Sequence, residues 1–98
     1  MNFLVIAYDG KDDDAINRRM KVRENHLALA KKQHEDGVLI CGGAILDDDG
    51  KMIGSAMMVD YPSLDDLNNW LKVEPYVIGD VWRDIEIKPC RVADFFIK

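Results

Sequence analysis

Four segments of the chain carry short apolar or alternating runs that end at turn signals. Runs of this kind, rich in β-branched and aromatic residues, predict β-strands. The predicted strands cover residues 3–8, 38–41, 53–61 and 81–88, with a short last strand over 92–97. We expect Pro89 to end the fourth strand, and Gly42-Gly43 to allow a bend or a close approach after the second.

Helical spacing predicts two helices between the first and second strands. The first follows three aspartates, which cap its positive end, and carries Ile16 and Met20 on one side. A break is expected at Val22-Arg23, and a second, stronger helix runs over 24–36. The glycine that follows it stands where helices commonly terminate.

A third helix is predicted after the third strand. Ser63 and Asp66 resemble a capping box at its start, and its apolar stripe is expected to be buried. That stripe consists of Leu64, Leu67 and Leu71. Pro75 ends the helix no later than Glu74, because the residue before a proline disfavours the helical conformation.

The order of elements predicts an α+β fold, the ferredoxin-like split βαβ sandwich with one antiparallel sheet, as a single domain over residues 1–98. Helices in this fold cover one sheet face, yet both faces of the first strand are largely apolar. A second copy is the simplest cover, so we predict a homodimer packed through the open sheet face. The alternative is that the terminal segment folds back over that face.

Composition and charge exclude several classes of function. The 98 residues include 18 acids and 13 bases, for a net charge of -5, so no nucleic-acid partner is expected. The longest apolar stretch, 38–46, contains glycines and is too short to span a bilayer, so no membrane partner is expected. The first residues lack the basic flank and cleavage site of a secretory signal. With only Cys41 and Cys90 as cysteines, a cytoplasmic location is predicted.

Metal and cofactor motifs are missing from the sequence. The histidines and cysteines include no pair at zinc-ligand spacing. The acidic turn 47–50 fails as a calcium loop, because alignment on its glycine puts Ile45 at the first ligand position and Ala56 at the last. No glycine pattern matches a phosphate or dinucleotide loop. We therefore expect neither a metal nor an organic cofactor.

His26 is the strongest candidate for chemistry. It lies at the edge of an apolar helix stripe that includes Leu29 and Ala30, with Arg23 one turn before it. Partial desolvation and a neighbouring cation both favour the neutral imidazole, which suits a general base. The alternative is a structural histidine bonded to a backbone carbonyl group.

Glu74 is the acidic residue whose position in the sequence is least well explained by exposure to solvent. Most acids of the chain lie in turns or caps, whereas Glu74 precedes Pro75-Tyr76 at a sharp helix exit in an apolar stretch. A carboxylate beside a histidine fixes its tautomer and stabilises the imidazolium. The alternative is an exposed residue at the end of a helix.

Taken in order, these features resemble the YCII-related (YciI-like) domain family over essentially the whole chain. The matching segments are the first strand, Arg23-x-x-His26-Leu27, Asp36-Gly37, Gly42-Gly43, Gly54-Ser55, Glu74-Pro75-Tyr76 and 81–89. The specificity of the resemblance comes from the ordered set.

The resemblance implies a ferredoxin-like domain of the dimeric α/β-barrel superfamily, with a histidine and an aspartate suggestive of an active site. His26 matches that histidine, and Glu74 stands at the aspartate position, one methylene longer. Glu24 and Gly42-Gly43 also depart from the family, which often has proline after the arginine and Gly-Pro at the strand end. Some relatives remove halide from chlorinated hydroxyquinols, and related barrels isomerise lactones.

The leading hypothesis is a small, cofactor-independent enzyme that carries out elimination or isomerisation by proton transfer on a small cyclic polar metabolite. His26 acts as general base or acid, and Glu74 orients it. Arg23 binds an anionic group of the ligand, while Ser55 and Tyr76 line the pocket. Two alternatives stay open: a non-catalytic metabolite-binding or dimerisation module, and a purely structural dimer with an empty site.

Overall fold

The computed structural model describes residues 1–97 and forms one four-stranded antiparallel sheet in the order β2-β3-β1-β4. Its elements are β1 (Asn2–Asp9), α1 (Ala15–Glu35), β2 (Leu39–Leu46), β3 (Met52–Asp60), α2 (Leu64–Leu71), α3 (Pro75–Ile78) and β4 (Trp82–Cys90). This arrangement confirms the predicted ferredoxin-like α+β fold. Lys98, the last residue of the predicted domain, lies outside the described residues. No helix within residues 1–97 is long and apolar enough to cross a membrane.

The two faces of the sheet differ in cover, as the order of the elements predicts. Phe3, Val5 and Ala7 point toward the helices and belong to the buried core with Leu67 and other residues of the helices. Full burial of a large apolar side chain stabilises the fold by about 1.5 to 3 kcal/mol. The opposite face, which we call the open face, carries partly exposed apolar side chains. They include Leu4 and Ile6 of β1 and Ala56 and Met58 of β3.

Helix α1 is one continuous helix of 21 residues, so the predicted break at Val22-Arg23 is wrong. A β-branched residue costs a helix only about 0.7 kcal/mol or less, which tertiary packing easily offsets. Ile16 and Met20 are exposed, while the buried positions of α1 include Arg19 and His26. The apolar periodicity misleads here because the helix turns charged and polar side chains toward the sheet.

Strand β2 runs through Gly42-Gly43 to Leu46, so it is longer than the predicted strand over 38–41. Its pairing with β3 shifts register between Leu39 and Cys41, which places a bulge at the start of the strand. The expected close approach is present at Gly42, where an added Cβ would lie 2.9 Å from Cγ of Met57.

Pro89 lies inside β4, opposite Phe3, and does not end the strand. Strand β4 forms an edge of the sheet, where a proline removes no ladder hydrogen bond on its outward side. The predicted last strand is also wrong, because Asp94–Phe96 form a single turn of 3-10 helix.

The cap of α2 follows the prediction at its first turn. Ser63 Oγ accepts a hydrogen bond from the backbone N of Asp66 at 3.2 Å. Leu67 is fully buried, whereas Leu64, predicted in the same stripe, is exposed. Trp70 takes an inward position instead, and this places an indole ring beside the candidate site.

Candidate active site

Helix α1 holds His26 against the buried aromatic residues between the helices and the sheet. The imidazole stacks on the Tyr76 ring with a centroid separation of 3.9 Å and an interplanar angle of 12°. Trp82 meets it edge-on at 5.7 Å. Only 11% of the His26 side chain is exposed. These contacts fix the plane of the ring.

Glu74 lies directly before α3 and acts as its N-cap, a role that the sequence pattern does not predict. Its Oε1 accepts a hydrogen bond from the backbone N of Tyr76 at 3.3 Å, and its Oε2 accepts one from Trp70 Nε1 at 3.2 Å. His26 Nδ1 bonds to Oε1 as a third partner. Glu74 is 1% exposed, so these three donors replace its water shell. The structure therefore brings His26 and Glu74 together; their catalytic roles stay a prediction.

The carboxyl partner assigns the tautomer of His26. A carboxylate only accepts hydrogen bonds, so Nδ1 carries the proton and donates it to Glu74. In the neutral ring, Nε2 then has a free lone pair. Within residues 1–97, Nε2 has no hydrogen-bond partner, and it is not among the fully enclosed polar atoms. It is available to take a proton from a ligand.

A cavity of about 230 Å³ opens beside this ring, between α1 and the edge of β2. A cavity of about 150 Å³ is known to hold benzene, so this one accommodates a single substituted ring. Its polar lining consists of Arg19, Arg23, His26, Ser55 and Tyr76. Its apolar lining includes Leu27, Ala30, Leu39 and Met57, and glycines 42 and 43 form part of its rim.

The predicted pocket residues Arg23, Ser55 and Tyr76 thus share one cavity with His26, while Glu74 supports the ring from behind the wall. Burial raises the pKa of the Tyr76 phenol, which keeps it protonated at neutral pH. Arg23 is partly exposed and makes no ion pair within the described chain. Its charge is free to meet an anionic group.

Arg19 is the site residue that the sequence analysis misses. It is 3% exposed, and its Nη1 reaches both carboxylate oxygens of Asp9, at 3.0 and 3.1 Å. Its guanidinium carbon lies 4.7 Å above the Tyr76 ring. Burial raises the pKa of the Asp9 carboxyl, although Arg19 acts in the opposite direction. The spacing of positions 19, 23 and 26 places all three on one helix face, and that signal is present in the sequence.

The cavity lining carries two guanidinium groups and, among the residues described, no carboxylate. Asp9 neutralises Arg19, so the unpaired charge at the wall belongs to Arg23. A positively charged cavity wall favours a ligand with negative charge or electron-rich oxygens.

Comparison with known proteins identifies relatives across nearly the whole chain. The model of the YCII-related domain matches residues 1–91. Protein YciI of Escherichia coli is 28% identical over 92 residues, which cover 88% of this chain and 94% of the relative. An uncharacterised protein of Haemophilus influenzae is 27% identical over 95 residues, covering 91% of this chain and 95% of the relative.

Two solved structures share the fold at low sequence identity. The 5-chloro-2-hydroxyhydroquinone dehydrochlorinase of Burkholderia phenoliruptrix, in complex with 2,5-dihydroxybenzoquinone, has a TM-score of 0.81 at 19% identity, covering 97% of this chain and 98% of that one. A NIPSNAP family protein of Agrobacterium tumefaciens has a TM-score of 0.52 at 21% identity, and the match covers 96% of this chain and 94% of that one. At these identities the likeness establishes the fold alone.

Proposed function

Since the chain belongs to the YCII-related domain family, we propose that it is a small-molecule enzyme that moves a proton on a small, cyclic, polar metabolite. The outcome of the reaction is an elimination or an isomerisation. The observation that carries this proposal is the imidazole of His26, which lines a cavity, bonds through Nδ1 to a buried carboxyl group and has no hydrogen-bond partner at Nε2 within residues 1–97.

His26 acts as the general base in the first step and as the general acid when the proton returns. Nε2 accepts the proton, and the Glu74 carboxylate stabilises the imidazolium that forms. The stacking on Tyr76 holds the ring plane while the charge changes. A positioned base of this type typically contributes about 10² to 10⁴ in rate.

Arg23 binds an anionic group of the substrate. It lies three residues before His26 on α1, and side chains at this spacing are neighbours about 5 to 6 Å apart at Cβ. Its guanidinium forms no ion pair with a carboxylate within the described part of the chain. This combination allows Arg23 to hold the charged end of a ligand while another part of the ligand lies against His26.

The expected substrate is a single hydroxylated or carbonyl-bearing ring. The cavity volume of about 230 Å³ suits a molecule of that size. The dehydrochlorinase that shares this fold was solved with 2,5-dihydroxybenzoquinone, a ring of this class. That likeness supports the substrate class and leaves the individual metabolite open.

The test compares His26→Asn with His26→Ala. Asparagine retains an N–H near the position of Nδ1, so Glu74 keeps its donor, but the base at Nε2 is lost. We expect His26→Asn to lower turnover at least a hundredfold at nearly unchanged melting temperature. The assay follows chloride release from 5-chloro-2-hydroxyhydroquinone and hydrogen–deuterium exchange on a panel of cyclic carbonyl compounds. His26→Ala additionally leaves Glu74 with one donor fewer, which costs about 1 to 3 kcal/mol of stability.

Full turnover in His26→Asn would contradict the proposal. Ligand-dependent stabilisation without conversion in the wild-type protein would favour the metabolite-binding alternative instead.

We further propose that the protein is a cytoplasmic homodimer of single-domain chains, joined through the open face. The partly exposed Leu4, Ile6 and Met58 on that face support the association, since a large exposed apolar patch usually marks an interface. Two free cysteines, Cys41 and Cys90, are consistent with a reducing compartment.

A further inference from the structure

The hydroxyl of Ser55 has an unusual hydrogen-bond environment. Its Oγ lies 3.0 Å from Arg19 Nη2 and 3.2 Å from Trp82 Nε1. Guanidinium and indole N–H groups can only donate, so Oγ accepts both bonds. A serine oxygen has two lone pairs, and both are therefore occupied. The remaining function of the hydroxyl is to donate its own hydrogen.

That hydrogen has no acceptor within residues 1–97, although Ser55 is 3% exposed and lines the cavity. A buried hydrogen-bond donor without a partner is costly. The remaining direction open to the hydroxyl is the cavity itself. A ligand oxygen in the cavity that accepts this hydrogen bond would supply the missing partner of the Ser55 hydroxyl.

The network also makes Ser55 a strong donor. Arg19 brings a positive charge to the serine oxygen and is held in place by Asp9 and by stacking over Tyr76. Hydrogen bonds that a hydroxyl accepts from charged donors polarise it and strengthen the bond it donates. This is the arrangement that stabilises an oxygen on which negative charge develops.

We propose that Ser55 is a catalytic residue whose O–H binds a carbonyl oxygen of the substrate and stabilises it as an enolate oxygen. The substrate class is then a small cyclic carbonyl compound with an acidic C–H next to the carbonyl group. The proton-transfer part of this inference rests on the proposed function of His26.

The step balances without an external reagent. His26 Nε2 takes the proton, so a C–H bond breaks and an N–H bond forms. The C–H electron pair becomes a C=C bond, and the carbonyl π pair moves to oxygen, where Ser55 donates its hydrogen bond. Where a further C=C bond is conjugated with this enolate, the negative charge also reaches the far carbon of that bond; return of the proton there gives an isomer and restores neutral His26.

A binding experiment tests the role of Ser55 without turnover. The probes are 4-nitrophenolate, whose charged oxygen accepts hydrogen bonds, and 4-nitroaniline, a ring of the same shape with an amine in that position. Their binding is followed by absorbance at mildly alkaline pH. We expect the wild-type protein to prefer the phenolate at least tenfold. Ser55→Ala should weaken phenolate binding about ten- to a hundredfold and leave aniline binding within about twofold.

Ser55→Thr is the matched control, because it keeps the hydroxyl and should keep the preference for phenolate. The inference is overturned if the wild-type protein shows no such preference, if Ser55→Ala binds phenolate like the wild type, or if both probes weaken equally. Phenolate binding is measured without turnover, so a protein that binds phenolate as expected but converts no substrate would contradict the proposed function and not this inference.

Trp82→Phe provides a second variant if Ser55→Ala does not fold. Phenylalanine keeps the ring beside His26 but removes the indole N–H, which frees one lone pair of Ser55 Oγ. The hydroxyl is then no longer restricted to donating. The ratio of the affinity for phenolate to that for aniline should fall. An unchanged ratio contradicts the inference.

Discussion

The side chains of His26 and Glu74 form a pair whose geometry depends on the length of the acid. Glu74 spans from the start of α3 to the imidazole while also accepting bonds from Trp70 and Tyr76. Aspartate is one methylene shorter, so from the same backbone position its carboxylate would lie farther from the imidazole.

Two substitutions at position 74 test this interpretation. Glu74→Gln keeps the side-chain length but removes the charge that stabilises the imidazolium, and we expect turnover to fall at least tenfold. Glu74→Asp keeps the charge but shortens the reach by one methylene, and we expect a comparable loss. Turnover and melting temperature are measured for both variants. Wild-type turnover in Glu74→Asp would show that the length of the acid is unimportant.

Several site residues could be predicted from the sequence, because their positions are unusual for their types. A histidine at the margin of an apolar stripe and a glutamate before Pro75 both stand out from their neighbours. Arg19 could not be recognised in the same way, because an arginine in a helix is normally solvated. Its burial depends on Asp9, which lies in another element, and local patterns do not report such a partner.

At the scale of elements, two glycines differ in how closely the neighbouring strand approaches them. Gly54 of β3 lies against β1, where an added Cβ would stand 2.5 Å from the Ala7 carbonyl oxygen. Gly43 of β2 has nothing within 4 Å of the same added atom. An added methyl group should therefore destabilise the protein more at Gly54 than at Gly43, although both residues lie in strands of one sheet.

We expect Gly54→Ala to lower the free energy of unfolding by about 1 to 3 kcal/mol or more, because β1 and β3 must separate to admit the methyl group. Gly43→Ala is the matched control and should change it by no more than about 0.5 kcal/mol. Urea unfolding monitored by tryptophan fluorescence measures both values. Equal effects at the two positions would contradict the close packing of β1 against β3.

The boundaries of elements were predictable wherever local chemistry determines them, as at Ser63. They were not predictable where tertiary packing overrides the local signal. Helix α1 continues through Val22 because this side chain packs against the buried core. Strand β4 continues through Pro89 because the edge position removes the cost of the missing N–H.

At the scale of the whole molecule, the fold leaves one sheet face without helices. The order of the elements was sufficient to predict this, since helices of a ferredoxin-like fold lie on one side. The identity of the surface that packs on the open face does not follow from the sequence of β1. The apolar residues of β1 indicate only that burying this face is favourable.

The proposed homodimer predicts a dimer mass by light scattering at micromolar concentration. Ile6→Lys places a charge in the middle of the open face and should produce monomers. Ile16→Lys is the control, because Ile16 is an exposed apolar residue of α1. It should leave the dimer intact. A monomeric wild-type protein, or dissociation by both variants alike, would contradict the proposed interface.

The stability of the molecule should also fall in strongly alkaline solution. Burial raises the pKa of Tyr61 to about 12, while an unfolded tyrosine titrates near about 10. Between these values the folded chain keeps a proton that the unfolded chain has lost, so stability decreases as pH rises through this range.

Tyr61→Phe removes this contribution, along with the hydrogen bond from Gln33 at 3.0 Å. We expect the variant to show a flatter decline of unfolding free energy between about pH 10 and about pH 12. Parallel curves for both proteins would indicate that Tyr61 titrates normally.

We infer that a buried acid holds the proton of His26 at Nδ1 and leaves Nε2 free toward the cavity. The most direct measurement is nitrogen-15 NMR of the imidazole at mildly alkaline pH, with His26→Asn identifying the signals. We predict a protonated Nδ1 and an unprotonated Nε2, with this single tautomer lost in Glu74→Gln. A His26 ring that carries its proton on Nε2, or on both nitrogens, would contradict the account.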